Sequence, residues 1–254
     1  SALFAAGTGE EDPATWQNIV FARRRLTTGQ RPLALSRYGS LGIGSHRAGI
    51  MFSGDAFQTW ETLGYEIYST PLHANALVGY LSHDIGGFHA FNGSGDGNAT
   101  SAADSELYLR WIQFGAVAPI MRTHCSYCER RIWKFLDFDA MAHAFRLRDA
   151  LVPLTYTLAQ QASRTGVAIV RPTYYSSDEP EAYTSRNQYL FGPDVLASPI
   201  SVAAAGPRRE VNVTVFLPHA SDGWSDWEAA SRFAGSRSVT RAYGLAAIPL
   251  FVRR

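Results

Sequence analysis

The chain has 254 residues, 46% of them hydrophobic, with 23 basic and 22 acidic side chains and a formal charge of +1. A hydrophobic share of that size supports a buried core and excludes a disordered chain, and neither sign of charge forms the run or patch that nucleic acid or an anionic membrane requires. A neutral or small partner fits this balance.

No apolar stretch approaches the roughly 20 residues that cross a bilayer, and Ser1-Ala-Leu-Phe4 lacks the basic start of a signal peptide. No membrane segment or targeting signal is therefore expected. Short apolar runs that end in polar residues follow. Pro32–Ser36 runs into Arg37, Gly49–Ser53 into Gly54-Asp55, Ala76–Ser82 into His83-Asp84, and Ala116–Met121 into Arg122-Thr123-His124. Such runs predict strands buried on both faces of a parallel sheet. Helical patterns lie between them. Trp60, Leu63, Ile67 and Tyr68 share one face before Pro71 stops the segment, and Leu107, Tyr108, Trp111 and Ile112 share another. The link from Arg37 to Gly49 is barely long enough for a crossover, so that unit is expected to be irregular.

Strand and helix in alternation predict an α/β fold, and in β/α barrels the reactive groups sit at the carboxyl-terminal strand ends. Each such end here carries a charge or a histidine. The tract Asn92–Thr100 is expected to be a surface loop. A long helical stretch from Phe138 to Ser163 follows, with Pro153 tolerable where a new helical turn begins. From Val167 onward, runs such as Val211–Leu217 and Ala246–Val252, broken by Gly, Pro, Asp and Ser, predict an antiparallel second domain. The expected division is 1–165 and 166–254.

Cys125 and Cys128 form one Cys-x-x-Cys. A redox pair, half of a zinc site, two incidental thiols and a local disulfide all fit that spacing. Zinc needs about four ligands and His124 is the one nearby in sequence, which favours thiols or a disulfide over metal. Sequons at Asn92, Asn98 and Asn212 lean towards a secretory route.

Ser36-Arg37-Tyr-Gly-Ser-Leu-Gly, Ser45-His-Arg47 and Phe52-Ser-Gly-Asp55-Ala-Phe-Gln-Thr-Trp60 together resemble the acid/base segment of family 31 glycoside hydrolases, the α-glucosidase family. Ser82-His-Asp84-Ile-Gly-Gly-Phe88, Arg110-Trp-Ile-Gln113 and Arg122-Thr-His124 continue the resemblance in the family's order. Arg171-Pro-Thr, Gln188-Tyr-Leu-Phe-Gly192 and Phe216-Leu-Pro218 resemble the β-sandwich that follows the barrel in that family. The resemblance implies the carboxyl-terminal half of a TIM (β/α)8 barrel followed by part of an antiparallel β-sandwich. It also implies a retaining hydrolase of α-linked glucosides or related sugars, with a carbohydrate substrate and no metal or organic cofactor.

Residue by residue, the resemblance places Asp55 as general acid/base, which demands a carboxyl group able to hold its proton near neutral pH. Without it, a strand-end aspartate would be read as the cap of the next helix. Asp84 matches a carboxylate that accepts two sugar hydroxyls, against the simpler reading of a turn residue before Gly86-Gly87. Arg37 and His124 match donors to the same sugar, whereas His124 alone would be read as a core histidine. Arg47, Trp111, Gln113 and Arg122 are expected to brace the site from behind. Trp60, Phe88 and Tyr80 are candidates for stacking on sugar, with packing favoured for Trp60.

The family's nucleophile is an aspartate in a tryptophan-flanked segment, expected a short way upstream of Asp12-Pro13. Glu10, Glu11 and Asp12 lack that setting. The chain is thus expected to be truncated at both ends and, alone, inactive. Two other readings stand beside the hydrolase: a non-catalytic carbohydrate-binding or regulatory homologue, and an enzyme for an α-xyloside, α-galactoside or sulfosugar.

Overall fold

The computed structural model describes residues 13–30, 33–37, 49–89 and 102–254. Arg47, the sequons at Asn92 and Asn98, and the acidic Glu10, Glu11 and Asp12 lie outside them. Helix α1 (Pro13–Thr27) leads into β1 (Ala34–Ser36) and β2 (Gly49–Phe52), then α2 (Trp60–Leu72), β3 (Tyr80–Ser82) and α3 (Ala102–Ala116). The three strands pair in parallel in the order β1-β2-β3. Helices α4 (Phe138–Ala150) and α5 (Val152–Thr165) follow, divided where Pro153 enters the first turn of α5 and needs no hydrogen-bond donor.

One expected strand comes out shorter and another does not form. Leu77 takes a left-handed φ of 59° after a 3-10 turn at His73–Ala76, so only Tyr80–Ser82 of the run Ala76–Ser82 is extended. Pro71 does not stop α2 but sits inside it, one residue before its end. In a last turn the missing N–H costs a single intrahelical bond. The run Ala116–Met121 is not a strand, and it joins the sheet through a parallel bridge from Ile120 to Ser82. Side chains take its carbonyls instead. The Arg148 guanidinium donates to the carbonyls of Ala118 (2.5 Å) and Pro119 (2.9 Å), and the Tyr189 hydroxyl donates to that of Val117 (3.2 Å).

The second part is antiparallel, as expected. A six-stranded sheet runs β4 (Val170–Arg171), β5 (Tyr189–Phe191), β6 (Val195–Ala197), β11 (Leu250–Arg253), β8 (Trp224–Asp226), β9 (Arg232–Phe233), and β7 (Val211–Leu217) pairs with β10 (Arg237–Tyr243). Neighbouring residues on a strand point to opposite faces. Tyr189 and Phe191 therefore enter the same core as Leu63, Ile67 and Trp111, while Leu190 enters a second core with Leu196, Phe251, Val213 and Val215. Full burial of such side chains stabilises by about 1.5 to 3 kcal/mol each. The sheet is thus held on one face by the barrel segment and on the other by the β7–β10 pair. Asn212, the one sequon asparagine among the described residues, is exposed on β7.

Arg148→Met is expected to lower stability by at least about 2 kcal/mol, since each of two buried carbonyls left without a partner costs about 1 to 3 kcal/mol. Chemical denaturation of wild type and variant measures it, and a change below about 1 kcal/mol would reject this account of the Ala116–Met121 segment.

Candidate active site

The register of the parallel strands decides which side chains meet. Ser36 lies opposite Met51, Phe52 opposite Ser82, and bridges join Ser82 to Ile120 and Ile85 to Thr123. All run the same way, so the residues just past each segment emerge at one edge. Those residues are Arg37, Asp55, Asp84, Arg122 and His124.

Asp55 follows Gly54, whose φ of 101° lets the chain leave β2 and turn towards α2. Its carboxylate is half-buried, with Oδ1 3.3 Å from Arg37 Nη1. It does not cap α2. Thr59 does, its hydroxyl accepting from the backbone N–H of Thr62 at 3.0 Å, which leaves the Asp55 side chain outside the helix.

Asp84 is 1% exposed. Arg122 donates to Oδ1 from Nη2, while Oδ2 is buried with no hydrogen-bond partner among the described residues. Burial raises its pKa, Arg122 and His124 pull it back down, and the negative Asp55 adds to the rise. A buried acceptor with a free lone-pair face is a hydrogen-bonding position for a hydroxyl-bearing ligand. The turn at Gly86-Gly87 does exist, but the Asp84 carbonyl closes it, accepting from Gly87 N–H at 2.8 Å. The side chain is left for other work.

Arg122 stands directly against Asp84 and lies over the Phe52 ring at 5.0 Å. His124 is exposed, not a core histidine, and its ring lies 5.5 Å from that of Phe88. Its loop is closed by a disulfide between Cys125 and Cys128 and tied back where Ser126 N–H donates to the Phe88 carbonyl at 3.1 Å. Among the described residues no group of three His, Cys, Asp or Glu side chains could hold a metal ion. Trp111 is fully buried in the main core, where it touches the ring of Phe114. Gln113 turns away from the site and donates to the Leu245 carbonyl at 2.6 Å, joining α3 to the sandwich. Tyr80 does not join this edge either. It opens β3 at the opposite end, and its hydroxyl donates to Ala159 on α5. Trp60 packs against the main core.

Arg130 is a residue that sequence reasoning misses, yet it holds the Asp84 loop. Its Nη2 donates to the carbonyls of Gly86 (2.8 Å) and Gly87 (2.5 Å), and its guanidinium lies 4.8 Å above the Tyr108 ring. Burial lowers the pKa of Arg130 and lifts that of Tyr108 to about 12. The paired glycines were the available signal, because such a pair often marks a close approach of other groups to backbone.

The chain matches two domains of glycosyl hydrolases family 31: the TIM-barrel domain over residues 12–158 and the C-terminal domain over residues 166–254. The chain belongs to that family. Among curated proteins it is 30% identical to an α-xylosidase of Saccharolobus solfataricus over 244 residues, 95% of this chain and 32% of the relative. It is 29% identical to α-glucosidase 2 of Bacillus thermoamyloliquefaciens over 91% of this chain and 27% of the relative. Among solved structures, the α-xylosidase of Xanthomonas citri superposes with a TM-score of 0.81 at 27% identity, covering 98% of this chain and 27% of that one. The chain spans about a third or less of these relatives. No helix among the described residues is long and apolar enough to cross a membrane.

Gly87→Ala is expected to be severely destabilising and to disturb Asp84. An added Cβ would lie 2.7 Å from the Gln58 backbone at a φ of 81°, and strain of each kind costs about 1 to 3 kcal/mol. A melting temperature within a few degrees of wild type would contradict that reading.

Proposed function

We propose that the strand-end cluster is the sugar-binding half of a retaining α-glycosidase site acting on α-linked glucosides or related α-glycosides. The observation that carries this reading is the buried, unpartnered Oδ2 of Asp84 at the edge where Asp55, Arg37 and His124 also end. Asp84 accepts two hydroxyls of the bound ring, with Arg37 and His124 donating to the same ring. Asp55 protonates the departing oxygen and later takes a proton from the attacking water. Double displacement needs a second carboxylate about 5 to 5.5 Å from the first. In this reading that nucleophile lies upstream of Asp12-Pro13, outside the described residues. Family membership and the α-glucosidase and α-xylosidase relatives support the reaction class.

A second substrate reading, an α-xyloside, is favoured by the α-xylosidases among both the curated relatives and the solved structures. A xylosyl unit lacks the exocyclic hydroxymethyl group of glucose. A panel of aryl α-glycosides given to the full-length gene product separates the two by kcat/KM.

Asp55→Ala is expected to slow natural α-glycosides by about 10²- to 10⁴-fold, the usual contribution of a positioned acid. A glycosyl fluoride needs little protonation, so its first step should be spared and the glycosyl-enzyme should accumulate. Azide, which needs no general base, should then release a product of retained α configuration. Equal damage to activated and natural substrates, without azide rescue, would remove Asp55 from this role.

Asp84→Asn should cost about 1.5 to 3 kcal/mol of transition-state binding, the range for a charged hydrogen bond. Asp84 accepts best when ionised, and its pKa is raised. Binding of a neutral competitive sugar should therefore weaken, as pH falls, at a higher pH than an ordinary aspartate would give. The Asp84→Asn substitution should abolish that pH dependence, and a wild-type affinity flat through the carboxylate range would refute the assignment.

A further inference from the structure

His83, one residue before Asp84, is 1% exposed and touches groups from two other elements. Its Nε2 lies 2.8 Å from the Thr70 hydroxyl, and its Nδ1 lies 2.9 Å from both Glu66 Oε2 and the Ser53 hydroxyl. Glu66 and Thr70 are one turn apart on α2, whereas Ser53 stands just past β2, two residues before Asp55. One buried ring therefore joins the end of β2, the end of β3 and the helix between them.

The protons in this cluster can be assigned from the hydrogen bonds. Thr70 has a single hydroxyl proton, and it goes to the Glu66 carbonyl at 2.5 Å. Thr70 can then only accept from His83, so Nε2 carries a proton. At Nδ1 a single proton lies between the ring and Glu66 Oε2, 2.9 Å away. Burial pushes the Glu66 carboxyl up, but the hydrogen bond and charge of His83, with help from Ser53 and His73, outweigh it and hold the group below its usual range. The result is a buried, hydrogen-bonded His83–Glu66 pair, the ring packed 5.4 Å from that of Phe114. Apolar side chains of similar volume often serve as well in a core, so stability alone is a weak reason for such a pair.

We propose that Glu66 and His83 form a positioning pair that sets the distance between the ends of β2 and β3, and thereby the angle at which Asp55 meets the leaving oxygen of a sugar held by Asp84. This rests on the acid/base reading of Asp55. Neither member of the pair touches the sugar. Glu66 orients His83 and takes the Ser53 hydroxyl proton, His83 carries the Asp84 peptide, and Ser53 fixes the short Gly54-Asp55 segment. Proton transfer is sensitive to such placement, and misplacement of about 1 Å can cost about 10²-fold.

The test is leaving-group dependence in the full-length gene product, because a pair that only stabilises the fold would not make the rate depend on the leaving group. Glu66→Gln is expected to lower kcat/KM by about tenfold or more for aryl α-glycosides with poor leaving groups, and by less than about twofold for a glycosyl fluoride. In an Asp55→Ala background it should add no further leaving-group dependence. Ser53→Ala cuts the link to β2 while leaving Glu66 and His83 together, and it should give the same selectivity at about threefold with an unchanged melting temperature. It decides the matter if Glu66→Gln does not fold. If Asp55→Ala alone shows the leaving-group dependence while Glu66→Gln and Ser53→Ala slow good and poor leaving groups equally, the positioning role is overturned and the acid/base reading survives. If Asp55→Ala itself shows none, both fall together.

Discussion

A carboxylate taken out of water with one oxygen paired and the other bare is expensive for a protein to hold, and the surroundings of Asp84 are arranged around that expense. Arg122 supplies the paired oxygen with a cation, and Phe52 underlies that cation. The chain then turns at once through two glycines with φ near 105° and 81°, too tight for any side chain to sit between Asp84 and its neighbours. Arg130 closes the turn from below by taking both glycine carbonyls. A second buried cation beside Asp84 also offsets part of the charge that burial leaves uncompensated. The unpaired Oδ2 can then stay open to a ligand.

The same solution, arginine on backbone carbonyls, recurs where the barrel segment meets the sandwich. Arg110 on α3 is fully buried, its pKa lowered to about 10 by burial despite the pull of Glu106, and it reaches the Gly244 carbonyl. Gln113, one turn on, accepts from Arg110 and donates to Leu245. Arg209 crosses from the sandwich to Glu106 on α3 and Asp137 before α4. The stretch Arg110-Trp-Ile-Gln113 thus divides its labour by helical face. Trp111 and Ile112 enter the core, and the polar pair fastens the second domain, so the helix behind the site is held from both sides.

Much of this was legible because the periodic and polar signals are local. Bounded apolar runs marked the parallel strands, and their polar ends marked the site, so Asp55, Asp84, Arg37, Arg122 and His124 arrive together from spacing and family resemblance. What the sequence hid was the bonding of particular side chains across long separations. Nothing local says that Arg148 will occupy the carbonyls of Ala118 and Pro119 and turn an expected strand into a side-chain-satisfied loop. Nothing local says that Gln113 will face the sandwich or that Tyr80, in an apolar run, lies at the wrong end of its strand. Glu66 was similarly hidden, since a glutamate on an amphipathic helix reads as a solvent-facing residue until its partner is known.

That last residue shows why α2 matters more than its length suggests. A helix that follows β2 by a short loop must be capped, and an aspartate near its start would ordinarily supply the cap. Were Asp55 the cap, its carboxylate would be committed to backbone N–H groups, and hydrogen bonds to the charged form would push it towards permanent ionisation. Thr59 takes that position with a neutral hydroxyl. Further along the same helix, Glu66 and Thr70 reach beneath β3 to His83. One helix therefore leaves the Asp55 carboxyl free of its N-terminal cap and, two turns later, anchors the strand end that carries Asp84. Both segments that carry the carboxyl groups are thus tied to one helix, Asp55 through the Thr59 cap four residues on and Asp84 through the neighbouring His83.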